Sequence, residues 1–174
     1  SRNREKAKLK VGKIHKKILN SREDYLHKLS KKLVVSNYLI CVEDLAVSNM
    51  IKNRKLSKAI ADCAWGKFLT MLGYKSKLYG SNLVFVNRFF PSSKLCSNCG
   101  WKNQKLKLEH REWDCEQCNV THDRDTNAAI NILIEGIKIW GRTALTYSGK
   151  WNTSSLSLWC KTITELSSSV SAIV

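Results

Sequence analysis

Negative charge is what this sequence has least of. Fourteen Asp and Glu stand against thirty Lys and Arg in 174 residues, a formal net charge of +16 with a pI of about 9.7. That imbalance argues for a polyanionic partner, most simply nucleic acid, over a basic surface that serves solubility or meets other proteins. Long apolar runs are missing as well. None approaches the ~20 residues a membrane-spanning helix needs, and no secretory signal is evident. A soluble, intracellular protein is expected, cytoplasmic and nucleoid-associated if bacterial, with no membrane partner. There is a single proline, Pro91, and no internal repeat. Cysteine is not scarce, but its total of seven is odd. Four of the seven fall in two C-x2-C pairs and Cys41, Cys63 and Cys160 are unpatterned. Thiolate ligands in a reducing compartment account for this better than a secreted disulfide scaffold does.

The remaining composition is that of an ordinary globular chain, 43% hydrophobic and 25% charged. Residues 1–33 read as a basic helix. Ala7, Val11, Ile14, Ile18, Tyr25, Leu29 and Leu33 fall near helical spacing, so this stripe is expected to pack on a core, with a kink or break where Arg22 interrupts it. Twelve of its residues are Lys or Arg and three are acids, over half the surplus of the chain. "NYLICVEDL" follows. Tyr38–Val42 is an unbroken apolar run, as in a strand buried on both faces, and Glu43 and Asp44 end it. Open α/β sheets place their chemistry at that end of a strand, although a loop carboxylate would look the same. Asn49–Lys55 reads as a polar loop. Ser57 is expected to cap a helix that carries Ile60, Ala64, Phe68, Met71 and Leu72 on one face and stops at Gly73. Trp65 and Cys63 are expected to be packing residues. Ser81–Phe90 reads as a strand ended by Pro91, and Thr126 to about Trp140 as a helix. Ten of the last 24 residues are Ser or Thr, which predicts a weakly structured tail.

Cys96, Cys99, Cys115 and Cys118 have the pattern C-x2-C-x15-C-x2-C. Two intervening residues let one tight turn aim two sulfurs at a single ion, and the 15-residue excursion returns the second pair to complete a tetrahedron. Gly100 and Asn119 occupy matching places after each pair and suit a left-handed turn. Lys94, Lys102, Lys105, Lys107 and Arg111 would promote thiolate formation. Structural Zn2+ is the expected occupant, and four thiolates leave no open position for catalysis. With four thiolates available, neither His110 nor His122 is needed as a ligand. Trp101 and Trp113 are expected to shield the knuckles.

Asp123, Asp125 and Asn127 alternate just before the last helix. Clustered carboxylates with an amide oxygen nearby suit Mg2+ or Mn2+, and an acidic first turn favoured by the helix dipole is the simpler alternative. At this point the sequence resembles a known family. "ICVEDLAVSNM", "FFPSSKLCSNCGW", "LEHREWDCEQC" and "HDRDTNAAINI" look like the carboxyl-terminal half of the TnpB type of transposon-encoded proteins, also called OrfB transposases and related to the type V CRISPR effector nucleases. "SRNREKAKLKVGKIHKKI" resembles the family's basic helix, and the likeness runs in order from residue 1 to about 142.

The resemblance implies an α/β, partial RNase H-like (RuvC) fold that lacks its first strands and carries an inserted four-cysteine zinc ribbon. Residues 1–90 would form the RuvC-like part, 91–121 the ribbon, 122–142 the last RuvC-like segment and its helix, and 143–174 a divergent tail. It implies a transposase-family, RNA-guided DNA endonuclease dependent on Mg2+ or Mn2+, with DNA and a guide RNA as partners. Glu43 would be the second catalytic acid and Asp125 the third, with Asp123 as the alternative and Asp44 a neighbour. Arg2, Arg4, Lys6, Lys10, Lys13, Lys17 and Arg124 would meet nucleic acid. Family members carry a first catalytic aspartate on an earlier strand, whereas Asp24 and Asp62 here lie in predicted helices. The chain alone is therefore expected to cut DNA poorly. The competing expectations are a non-catalytic zinc-ribbon protein that binds DNA or RNA, and a structural zinc protein of a ribonucleoprotein particle. They part at Glu43 and Asp125, which a nuclease would hold within ~3.5–6 Å of each other.

Overall fold

A computed structural model describes residues 1–148 and the two-residue segment 172–173. The expected tail, apart from that segment, lies outside the described residues. The chain folds as a mixed α/β structure around a three-stranded parallel sheet. Its middle strand is β1 (Leu39–Glu43), flanked by β2 (Asn82–Val86) and by β5 (Ala172–Ile173). Ile40, Cys41 and Val42 are all fully buried, because both faces of the strand are covered. Alternation sends Ile40 and Val42 to one face and Cys41 to the other. On the first face they meet Leu26 and Val34 of helix α1 (Arg2–Ser36) and Phe68, Met71 and Leu72 of α4 (Trp65–Tyr79). On the second, Cys41 and Val86 meet Ile132 of α5 (Arg124–Ser148).

Helix α5 crosses β1 very closely at Gly136, where any Cβ would overlap the Cys41 sulfur. Farther along the same helix, Trp140 packs edge-on against Tyr38, 5.8 Å between ring centroids. The helix therefore runs antiparallel to β1, and its amino-terminal turn lies toward the carboxyl end of that strand, where Glu43 is.

Helix α1 is continuous, without the break expected at Arg22. Its stripe behaves differently from expectation. Leu26, Ser30 and Val34 are buried, and Leu29 and Leu33 pack beside them. Val11, Ile14, Ile18 and Tyr25 are about half exposed or more, because no element among the described residues lies against the outer part of the helix. The helix expected to begin at Ser57 is two helices, α3 (Ser57–Cys63) and α4, preceded by the short α2 (Val47–Met50). The break falls at Ala64, held at φ 49. Ser57 makes no cap bond, Cys63 is exposed, and Gly73 does not end the helix. The helix ends at Gly80 instead, at φ 75, with Ser81 N–H donating to the Ser76 carbonyl. Trp65 does pack against the core as expected. Lys75 is buried between α1 and α4, where it donates to the Ser30 hydroxyl and the His27 carbonyl at 2.7 and 2.6 Å. None of the described helices is long and apolar enough to cross a membrane.

Candidate functional site

The second structural unit lies between β2 and α5. Two short antiparallel strands, β3 (Glu112–Asp114) and β4 (Thr121–Asp123), form a hairpin that joins α5 directly. Each C-x2-C pair sits on a tight turn, closed by Gly100 N–H to the Cys96 carbonyl (2.8 Å) and by Asn119 N–H to the Cys115 carbonyl (2.9 Å). Both residues hold positive φ, 78 and 55, as their chemistry led one to expect. The four ligand sulfurs all lie within 4.8 Å of one another. Cys96–Cys118 and Cys99–Cys115 are each 3.6 Å apart. A disulfide needs ~2.05 Å, whereas a Zn–S length of ~2.3 Å sets a tetrahedral edge of about 3.8 Å. The donor set therefore fits Zn2+. Trp113 is buried and Trp101 packs beside it, so both shield the cluster.

The acids are arranged differently. Asp123 is the N-cap of α5: its Oδ1 accepts the Thr126 N–H at 2.7 Å, and that bond is the main cause of a carboxyl pKa below the usual value. The helix-start reading thus describes Asp123. Asp125 lies one position inside the first turn, 3.2 Å from Arg111 and 3.5 Å from Arg124. The Arg124 guanidinium also donates to the Leu108 carbonyl and is largely covered. Asn127 does not stand among the carboxylates as an oxygen donor. It is 1% exposed and turned to the ribbon, its Oδ1 accepting the Ser97 N–H at 2.9 Å.

Glu43 ends β1 on the flank of the sheet core. Desolvation raises its carboxyl pKa, and among the described residues it forms no ion pair or side-chain hydrogen bond. Asp44 next to it is paired with Arg88 at 2.5 Å. With Gly136 seated on Cys41, the helical rise puts Asp125 about 16 Å toward the carboxyl end of β1. Strand geometry puts Glu43 about 7 Å that way. Both acids occupy the same end of the sheet, with Asp125 farther out. Among the described residues, the four cysteines are the only group of three or more His, Cys, Asp or Glu close enough to hold one ion. Glu43, Asp123 and Asp125 do not form such a group.

On α1, Arg2, Arg4, Lys6, Lys10, Lys13 and Lys17 are all exposed, and none of them makes a salt bridge among the described residues. The helix's ion pairs begin at Arg22, which reaches Asp62, and Glu23, which reaches Lys67.

Comparison with known proteins bears on the whole arrangement. Residues 1–54 match a family model described as "Probable transposase" (OrfB), and residues 65–132 match one described as "Cas12f1-like, TNB domain". The first holds α1, β1 and Glu43, and the second holds α4, β2, the ribbon and the turn with Asp125. The chain belongs to the OrfB/TnpB family. A Streptomyces pristinaespiralis protein named "Putative RNA-guided DNA endonuclease" is 51% identical over 137 residues, 79% of this chain and 34% of that protein. The Escherichia coli (strain K12) protein InsQ, of the same description, is 30% identical over 165 residues, 86% of this chain and 41% of its own length. The chain thus spans about a third of the length of such OrfB/TnpB relatives. A solved complex of Cas12f1 with sgRNA and target DNA superposes with a TM-score of 0.48 at 22% identity, over 66% of this chain and 35% of that one.

Two features of this OrfB/TnpB chain were not foreseen from sequence. His122, set aside as unneeded for zinc, has its Nε2 3.0 Å from the Cys96 sulfur. Asn131 is buried and donates to the Ser92 and Leu95 carbonyls. The available signal was two asparagines four apart on the apolar face of a helix.

Proposed function

We propose that this chain is the nucleic-acid-binding, carboxyl-terminal part of a transposon-associated, RNA-guided, Mg2+-dependent DNA endonuclease. Its sheet and helices would be a partial RNase H-like (RuvC) fold with the zinc ribbon inserted before the last catalytic segment. The observation that carries this reading is Glu43. Its carboxylate is half-buried at the carboxyl end of the middle strand of a parallel sheet and makes no ion pair among the described residues. Withdrawing a carboxylate from water without a partner is costly, and open α/β sheets concentrate their chemistry at that end. The turn that bears Asp125 is directed to the same end.

In this reading Glu43 and Asp125 would hold the divalent ion once the first turn of α5 closes the offset between them along the strand, and Asp123 secures the turn. A bound Mg2+ or Mn2+ would activate water and stabilise the leaving oxygen of a phosphodiester. Arg111 must release Asp125 before that carboxylate can serve. The unpaired cations of α1 supply sequence-independent phosphate contacts, so DNA affinity should fall steeply with salt. The names of the relatives support DNA as substrate and RNA as guide. Two acids are fewer than the three of the family's centre, so residues 1–174 alone should bind nucleic acid and cut it poorly.

Manganese binding followed by electron paramagnetic resonance tests the assignment on this chain. Glu43→Gln and Asp125→Asn should each weaken binding at least tenfold, with Asp123→Asn weakening it less. If neither of the first two changes manganese affinity, the nuclease assignment fails. The second reading, a zinc-ribbon protein that binds DNA or RNA without cleaving it, would then stand. The ion pairs that occupy Asp125 already favour that second reading.

A further inference from the structure

Two sets of contacts tie the cysteine cluster to the helix that carries Asp125, and a knuckle with four thiolate ligands requires neither. The first is made by His122. Its ring is 8% exposed, lies 4.9 Å from the Trp113 ring across the hairpin, and brings Nε2 to 3.0 Å from the Cys96 sulfur. The four sulfurs already complete the ligand set, so His122 stands outside it as a hydrogen-bond partner of one ligand. The second is made by Asn127. Its Nδ2 donates to the Leu95 carbonyl at 2.7 Å, and its Oδ1 accepts the Ser97 N–H at 2.9 Å. Leu95 and Ser97 are the residues on either side of Cys96. Asn131, one turn farther along α5, adds a second donor to Leu95 O at 2.7 Å.

The first knuckle is therefore gripped through its sulfur and through the backbone on both sides of it. Every gripping group comes from residues 122–131, the stretch that contains Asp123 and Asp125. The two amides are buried, so opening the knuckle would strand their donors and acceptors out of water, which is expensive. A cysteine knuckle keeps its turn when metal is bound, so the amide contacts and the metal support the same geometry.

We propose that His122 and Asn127 are positioning residues that latch the Cys96 knuckle to the first turn of α5, so that zinc occupancy and the placement of that turn become one property. Coupling of this kind is reciprocal. Zinc orders the turn, and the turn tightens zinc. That the turn presents a catalytic acid rests on the proposed function; the latch itself does not.

The test needs only the 174-residue chain. Zinc affinity is measured by competition with a chromophoric chelator, and hydrogen exchange is followed at the amides of Arg124–Ala128. His122→Phe keeps an aromatic ring against Trp113 and removes the nitrogen; Asn127→Leu removes the amide. His122→Phe should lower zinc affinity about 10–100-fold, the usual cost of losing an outer partner of a metal ligand, and Asn127→Leu, which touches no sulfur, should lower it less. Stripping zinc from the unaltered chain should speed exchange at the first turn of α5 and leave the amides of α4 unchanged. His122→Gln, which keeps an N–H donor, should recover part of the affinity. Asn127→Ala, which removes both amide contacts and adds no bulk, carries the test if Asn127→Leu does not fold. Unchanged zinc affinity in His122→Phe and in the Asn127 variants would overturn the proposal. So would first-turn amides that exchange alike with and without zinc. Manganese binding indifferent to Glu43 and Asp125 would count against the nuclease reading alone and would leave these measurements as they are.

Discussion

The cysteine site and the proposed acid site are built in opposite ways. The cysteine site draws its ligands from two short turns, and the chain by itself brings all four sulfurs within 4.8 Å of one another. The proposed acid site draws its ligands from a buried strand and from the start of a helix more than eighty residues later. Those carboxylates share an end of the sheet without forming a cluster. The difference is one of assembly. A knuckle needs two residues in a fixed turn, so local geometry completes it. An acid pair at a sheet edge needs the whole fold to be in register, and here Arg111 holds one member meanwhile.

The largest effect should come from breaking the local site. Cys115→Ser, or removal of metal by a chelator, should reduce bound zinc from one per chain to none. It should also unpair β3 from β4, because apparent binding free energies of about 10–16 kcal/mol make such modules fold with their metal. Hydrogen exchange checks this. Protection should be lost over 91–121 and kept over β1, β2 and α4, whose apolar core does not include the cysteines. Loss of protection throughout the sheet would show that the two units are not built independently.

The same contrast explains what could be read from residues alone. Spacing identified the cysteines, and the left-handed positions of Gly100 and Asn119 followed from their chemistry. Tyr38–Val42 was legible as a strand because burial on both faces leaves an uninterrupted apolar run, though Tyr38 itself turned out to be exposed. The division of α3 from α4 was not legible. Ala64 adopts a left-handed conformation with no turn residue to announce it, while Gly73, which looks like a stop, sits inside a helix. The outer stripe of α1 has helical periodicity, but periodicity cannot supply a surface to pack on. Asn127 was read by proximity as a companion of Asp123 and Asp125, yet its partners Leu95 and Ser97 are some thirty residues away. Contacts of that range leave no trace in local pattern.

An intermediate effect should separate the two aspartates of the first turn. Asp123→Ala removes the acceptor for the Thr126 N–H, and loss of an N-cap typically lowers Tm by about 2–4 °C in a chain of this size. Asp125→Asn should lower Tm less, because its shorter pair, to Arg111, is exposed on both sides and such pairs contribute little. The pH dependence has a definite sign. The folded carboxyl of Asp123 titrates below its ordinary value of 3.8. Its stabilising share is therefore complete above that pH and is lost as pH falls through the lower folded value. Thermal unfolding of both variants at neutral and acid pH measures this. Equal losses in the two would remove the distinction between a capping and a chemical aspartate.

The smallest effect should come from Glu43, and it should be a gain. Desolvation raises the Glu43 carboxyl above its ordinary value of 4.5 in the folded chain. Between 4.5 and that higher value the folded state binds more protons than the unfolded state, so stability declines as pH rises through this window. Glu43→Gln removes the charge that causes the decline. The variant should melt slightly higher than the unaltered chain at pH 7, and the two curves should meet below pH 4.5, where the glutamate is neutral in both states. A capping or ion-paired glutamate would behave in the opposite sense, since losing it would lower Tm at neutral pH. Thermal scans across pH 4–8 without divalent ions therefore ask whether position 43 is held for the fold or in spite of it. If Gln proves less stable than Glu at pH 7, the carboxylate has a favourable partner, and the premise that it waits for a cation is lost. If Gln is more stable, the sheet carries at the end of its middle strand a charge that folding does not need, which is the condition a metal ligand assembled late would meet.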